Sequence, residues 1–311
     1  MLLRDVAEDW WLGNFQLRAT TRLRKREILD KHIFPFFDGY DIRDIDDSLI
    51  NKFIASELDH GNRLNHQPLS QAMVLKEICV VKSIFRYAYL KGFIDRDPFE
   101  TVAKLKRPTY REFSIYTPEE VDKLINTARP KYLGDIILLA YHTGMRRGEC
   151  YGLQWDDINW DKRILSVNRS VTATKPRERL LSEPKTKKGI RQILIDEDTI
   201  AMLKKRKKMN LSDTWVFTNQ YGEPLSPWYS VKYFREASSK AQIYGKRFHD
   251  LRHTHITELV TAGIPLPVIQ RRVGHSNIST TMHYVHIDTE MQQIVIDYLN
   301  SRSKNEVNKN D

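Results

Sequence analysis

The chain has 311 residues, 41% hydrophobic and 29% charged, with a mean hydropathy of -0.54, enough for two domains with ordinary cores. No apolar run reaches about 18 residues, which excludes a membrane-spanning helix, and the acidic, amphipathic start Met1-Leu2-Leu3-Arg4-Asp5 is not a secretory signal. The net charge of +10 favours a polyanionic partner, and it is uneven: residues 1 to 112 carry 19 Lys+Arg against 17 Asp+Glu, whereas 113 to 311 carry 31 against 23.

Two cysteines, Cys79 and Cys150, predict buried thiols in a reducing cytoplasm rather than a disulfide. The first hundred residues read as four helices and no strand. Val6, Trp10, Trp11, Leu12 and Phe15 suggest a short apolar-faced helix. A second, capped at Ala19-Thr20-Thr21, carries Leu23, Ile28, Leu29, Ile33 and Phe34 and ends at Pro35. A third begins at Asp46 or Asp47, and the fourth spans Ser70 to Lys91. Arg18, Thr20, Arg22, Arg24 and Lys25, with Arg26, crowd the second helix start, where cations, hydroxyls and helical N–H groups together can hold phosphates. Lys104, Lys106 and Arg107 mark a basic linker over 104–113 that separates a helical domain, 1–103, from a second domain, 114–300, with a frayed tail at 301–311.

The second domain opens on Thr117-Pro118-Glu119-Glu120, a capping box with proline at the first helical position. An apolar helix follows through Ile136 to Tyr141 and stops at Gly144, and a short helix is expected over Met145 to Leu153. Alternation from Arg163 to Val171 and again from Gly189 to Ile195 predicts a small antiparallel sheet with a charged tip between, and Trp215 to Thr218 a further short strand. The remainder reads as helical to about Asn300. The expected fold class is mainly α with a small antiparallel β-sheet.

The chemistry-bearing residues are spread along this second domain. His249 and Arg252 share a helix face, His275 follows a Val-Gly turn, and Tyr284 lies nine residues beyond it. Upstream, a Thr-Gly turn delivers Arg146 to a helix start, with Glu149 three residues on to orient it. Cleaving a phosphodiester needs a nucleophile, cations on the non-bridging oxygens and an acid for the leaving oxygen. No His-Glu-x-x-His, Cys-x-x-Cys, clustered carboxylate set or P-loop is present, so neither a metal nor a nucleotide cofactor is expected. His253, His255, His283 and His286 lie close to these residues in sequence, and metal binding by them is weighed and not favoured.

Four ordered motifs, Thr143 to Glu149, Pro184-Lys185-Thr186-Lys187-Lys188-Gly189, His249 to His253 and Val273 to His286, resemble the tyrosine recombinase family, the phage-integrase type of site-specific recombinase. The resemblance covers nearly all of 114–300, and the first domain resembles that family's helical core-binding domain around Leu69 to Phe99. It implies a mixed α+β catalytic domain in which Tyr284 attacks the scissile phosphate to form a 3′-phosphotyrosyl bond. Arg146 and Arg252 would clamp the phosphate, His249 would take part in proton transfer, His275 would hydrogen-bond the phosphate and Glu149 would support Arg146. Lys185 would protonate the leaving oxygen, with Lys187 and Lys188 as alternatives; Arg147 and Tyr298 compete with Arg146 and Tyr284. The implied partners are double-stranded attachment sites, a homotetramer formed on paired sites, and a DNA-bending or directionality protein. The implied setting is the bacterial cytoplasm or nucleoid and the implied task is integration or excision of a mobile element. The alternatives are an inactive DNA-binding protein of the same fold and a type IB topoisomerase-like activity. Many integrases of mobile elements carry a small arm-binding domain ahead of the core-binding one, for which this sequence has no room, so either the protein works without arm-type sites or the sequence begins part-way into a longer product. Met291, Ile294, Val295 and Leu299 form an apolar stripe for a C-terminal helix that docks on its own or a neighbouring subunit.

Overall fold

The computed structural model describes residues 1–102, 105, 114–173, 178–182, 189–219, 221–228 and 230–285. Lys104, Lys106, Arg107, Lys185, Lys187, Lys188, Tyr298 and the 291–299 stripe therefore lie outside the described residues. The chain divides into two compact units, Met1–Arg111 and Glu112–Asp311.

In the first unit α1 (Leu3–Gly13) buries Leu3, Val6, Ala7 and Trp10, a helical stripe, while Leu12 and Phe15, expected on that face, are exposed. Helix α2 (Ala19–Ile28) begins after Arg18 with no side-chain cap, so Thr20 and Thr21 sit within its first turn instead of capping it. It runs through a π-helical turn, Leu29–Ile33, into the short α3 (Phe34–Phe36). Pro35 does not end the helix; it occupies the first turn of α3, where a missing N–H is tolerated. Helix α4 (Asp47–His60) is capped by Asp46, whose carboxylate accepts from Leu49 N–H at 2.8 Å, and α5 (Gln71–Leu90) is capped by Ser70. Phe34, Phe37, Phe53, Val81, Ile84 and Phe85 lie at the centre of their shared core. Among the described residues of this unit the only strand-like pairing is an isolated bridge, Leu2 to Asp41.

The second unit starts at the expected capping box: Thr117 Oγ1 accepts from Glu120 N–H and Glu120 Oε2 accepts from Thr117 N–H, opening α6 (Pro118–Thr127). The apolar α7 (Lys131–Thr143) ends on Gly144 at φ +66°, and α8 (Arg147–Tyr151) is shorter than its expected span. Strands β1 (Ile158–Asn159), β2 (Ile164–Val167) and β5 (Arg191–Leu194) form an antiparallel sheet in the order β1-β2-β5, and β3 (Ser170–Thr172) pairs with β4 (Leu180–Ser182). The single strand expected over Arg163 to Val171 is thus two strands. The break falls where Asn168 and Arg169 turn to bind Asp157.

Trp215 to Thr218 is not a strand; it makes only isolated bridges, from Trp215 to Gln154 and from Thr218 to Pro224. Helix α9 (Glu197–Lys208) has no counterpart among the expected elements, because its lysine-rich end hides the buried face of Ile200, Met202 and Leu203. Among the described residues four further helices follow: α10 (Ser230–Lys240), α11 (Phe248–Thr261), α12 (Leu266–Val273) and α13 (Ser279–Met282). Gly245, Gly263 and Gly274, all at positive φ, mark the breaks between them. Both cysteines are free thiols, but only Cys150 is buried; Cys79 is exposed, against expectation, on the outer face of α5.

Candidate active site

Helix ends assemble the site. The left-handed Gly144 stops α7 and delivers Arg146 to the position before α8. There Glu149 accepts from the Arg146 backbone N–H and guanidinium, both at 2.9 Å. Glu149 is itself buried against Arg191 of β5, whose Nη2 donates to it at 2.8 Å. Helix α11 carries His249, Arg252 and His253. Arg252, 2% exposed, donates to Gly144 O at 2.6 Å and to Val273 O at 2.7 Å, so one guanidinium ties together the C-terminal ends of α7 and α12.

After α12, Gly274 at φ +70° turns the chain and His275 is buried with its Nδ1 2.9 Å from Thr281 Oγ1. Arg146 Nη2 also donates to Gly274 O at 3.3 Å, bringing it beside His275. Tyr284 packs against Ile256, Val260, Ile269 and Val273. Its hydroxyl is hydrogen-bonded to His253 Nδ1, and the His253 ring stands 4.8 Å from that of His249.

The phage integrase family profile matches residues 115–291, and the family's N-terminal SAM-like domain matches 3–58. The chain belongs to the phage integrase family. It is a site-specific DNA recombinase. A XerC-like tyrosine recombinase of Caldanaerobacter subterraneus subsp. tengcongensis is 28% identical over 77% of this chain and 68% of that protein. The ICEBs1 integrase of Bacillus subtilis is 27% identical over 88% of this chain and 76% of its own. In fold, the chain is similar to the integrase of the transposon Tn1549, solved in complex with a circular-intermediate DNA. The TM-score is 0.82 at 18% identity, over 96% of this chain and 99% of that one.

Charge in this member of the phage integrase family gathers where the motifs meet. Burial would raise the Glu149 carboxyl, but the hydrogen bonds and charge of Arg191, joined by Arg146, hold it down at about 2. Burial, then Arg146, lowers Arg252 to about 9, which leaves it protonated at neutral pH. His249 falls to about 4 through burial, then His253 and the nearby arginines; His275 falls to about 3 through burial, then Arg252 and Arg146. Both histidines are neutral at pH 7, and each can donate a hydrogen bond without adding charge.

The structure therefore brings together Arg146, Glu149, Arg252, His249, His275 and Tyr284. It does not keep the basic cluster of the first unit as one free patch. Arg22 lies 3.8 Å over the Trp11 ring, Lys25 lies over Trp10, and Arg26 is paired with Glu8 and Asp30. Arg18 and Arg24 are exposed and Thr20 is half-buried. Two site residues escaped the sequence reading. Arg191 has no local signature, being 42 residues from Glu149. His253 was legible: four residues after His249, it falls on the same helix face.

Proposed function

We propose that Tyr284 is the nucleophile of this recombinase and that Arg146, Arg252, His249 and His275 surround the scissile phosphate. The observation that carries this reading is the convergence of four separate helix ends on one cluster of Arg146, Arg252, His249 and His275, with the Tyr284 hydroxyl hydrogen-bonded to His253 beside it. Arg146 and Arg252 neutralise the non-bridging oxygens; a contact of this kind contributes about 3–4 kcal/mol to transition-state stabilisation. His253 Nδ1 accepts the tyrosine proton as the Oη–P bond forms, and the 5′-oxygen leaves with a proton from Lys185. His249 serves the same proton traffic and His275 donates to a phosphate oxygen. The bond energy stays in the 3′-phosphotyrosyl ester, so rejoining by the incoming 5′-hydroxyl needs no nucleotide.

The DNA partners are paired attachment sites, on which the chain acts as a homotetramer, with an accessory bending or directionality protein setting whether a mobile element is integrated or excised. A lambda integrase tetramer bound to a Holliday junction, similar in fold at a TM-score of 0.69 and 19% identity, supports this assembly. Residues 1–103 serve as the core-binding domain, through Arg18, Thr20 and Arg24 together with Lys104, Lys106 and Arg107 of the 104–113 linker, and residues 114–300 serve as the catalytic domain. The work is done on the bacterial nucleoid.

Incubation with a nicked duplex of the attachment site, which lets the 5′ fragment diffuse away, should trap a covalent adduct on the 3′ side. Tyr284→Phe should abolish it while leaving the duplex bound. An adduct formed by the phenylalanine protein overturns the assignment.

A further inference from the structure

The first unit holds a buried polar cluster that strand exchange does not use. His32 lies in the π-helical turn between α2 and α3, Glu57 on α4 and Glu77 on α5. Both glutamates are 0% exposed and His32 is 7% exposed. His32 Nδ1 stands 2.7 Å from Glu57 Oε2 and 3.3 Å from Glu77 Oε1, and one potential ligand atom from each residue lies within 4.8 Å of the others. Arg63 is hydrogen-bonded to the other Glu57 oxygen and donates to Lys31 O at 2.7 Å, closing the outer side.

The donors do not balance the acceptors. One imidazole nitrogen carries at most one proton, and Glu57 stands nearer to it. Glu77 is left fully buried with no hydrogen-bond partner on either carboxylate oxygen. A desolvated carboxylate without a donor is costly, and such a group in a native fold calls for an unseen water or ion. We infer that His32, Glu57 and Glu77 bind a divalent transition-metal ion of the zinc class.

The donor set is one imidazole nitrogen and two carboxylate oxygens, a set zinc accepts. Ligand atoms around a tetrahedral ion at about 2.0–2.1 Å stand about 3.3 Å apart, the spacing already present between His32 and Glu77. The ion takes a lone pair from each of three helical segments and so pins α4, α5 and the π turn to one another, remote in sequence from Tyr284. Local departures from α-helical geometry of the kind that places His32 recur at functional sites. No sequence motif announces the set, because His32 and Glu57 are 25 residues apart.

The test uses the full chain, stripped with chelator and dialysed. Calorimetric titration with Zn2+ alone should show about one tight equivalent per chain and a higher unfolding midpoint. Glu77→Gln, which keeps the side-chain volume and all the active-site histidines, should lose that equivalent. Zinc bound equally by the Glu77→Gln protein overturns the site, as does a wild-type chain that binds none. Should the variant fail to fold, paramagnetic Co2+ on the wild-type chain decides. The inference expects it to broaden the amide signals of Glu57 and Glu77 first; broadening confined to residues around His249 overturns it.

Discussion

Glu149 sets the charge balance of the site. It faces Arg146 and Arg191 and lies close to Arg252. One carboxylate among these cations leaves a positive surplus, which the proposed phosphodiester would neutralise, while the backbone N–H and guanidinium contacts hold Arg146 in place. Its role was legible from spacing alone, since three helical residues bring Glu149 under Arg146. Arg191 was not, because a cross-strand partner leaves no local pattern. The two neutral histidines give a pH dependence whose sign is fixed. His249 and His275 sit at about 4 and about 3 in the folded chain, below the ordinary value of about 6.5 for an unfolded histidine. The unfolded chain therefore binds more protons, and the stabilisation is complete above about pH 6.5 and is lost as pH falls toward those values. Urea midpoints measured on the DNA-free protein should fall between about pH 7 and pH 5. A His249→Gln, His275→Gln double variant should show a shallower fall, and an unchanged slope would contradict the assignment.

Helix ends are the elements that matter here. Thr117, Pro118 and Glu120 could be read as a helix start because the capping box is local chemistry, and the same holds for Asp46 and Ser70. The strands were less legible: β4 is three residues long, and the β2–β3 break depends on Asp157, ten or more residues away. Gly144 shows how an end becomes part of the site. Its φ of +66° suits glycine, a Cβ there would fall 2.6 Å from His255 Cδ2, and its carbonyl receives Arg252. Gly144→Ala should destabilise the chain by more than about 1 kcal/mol, the backbone contribution alone being near that figure, and should lower adduct yield by displacing Arg252. An unchanged denaturation midpoint would show that the turn relaxes freely.

Across the whole molecule, composition and order of motifs carried the reading furthest. The surplus of cations after residue 113, together with four motifs in sequence, pointed to DNA before any contact was visible. What composition did not convey is how many cations are already engaged: Arg22 and Lys25 on tryptophans, Arg26 and Arg206 in ion pairs. The remaining free charge should still dominate binding. Affinity for a duplex, followed by fluorescence anisotropy, should fall about a thousand-fold or more between about 50 and 200 mM salt if six or more phosphates are contacted. A flat response would contradict phosphate-driven binding.

The double anchorage of Arg252 also bears on how such a protein decays. Because that guanidinium holds the ends of α7 and α12 together, its loss damages the architecture as well as any reaction it serves. Tyr284 is different: its ring fills an apolar cluster, and removing the hydroxyl leaves the ring's packing in place. A silent, drifting gene copy can therefore lose the hydroxyl at residue 284 and keep its shape. Intact arginines in a degraded relative testify to a fold that still stands, whereas residue 284, on the proposed assignment, tells whether the copy can still move DNA.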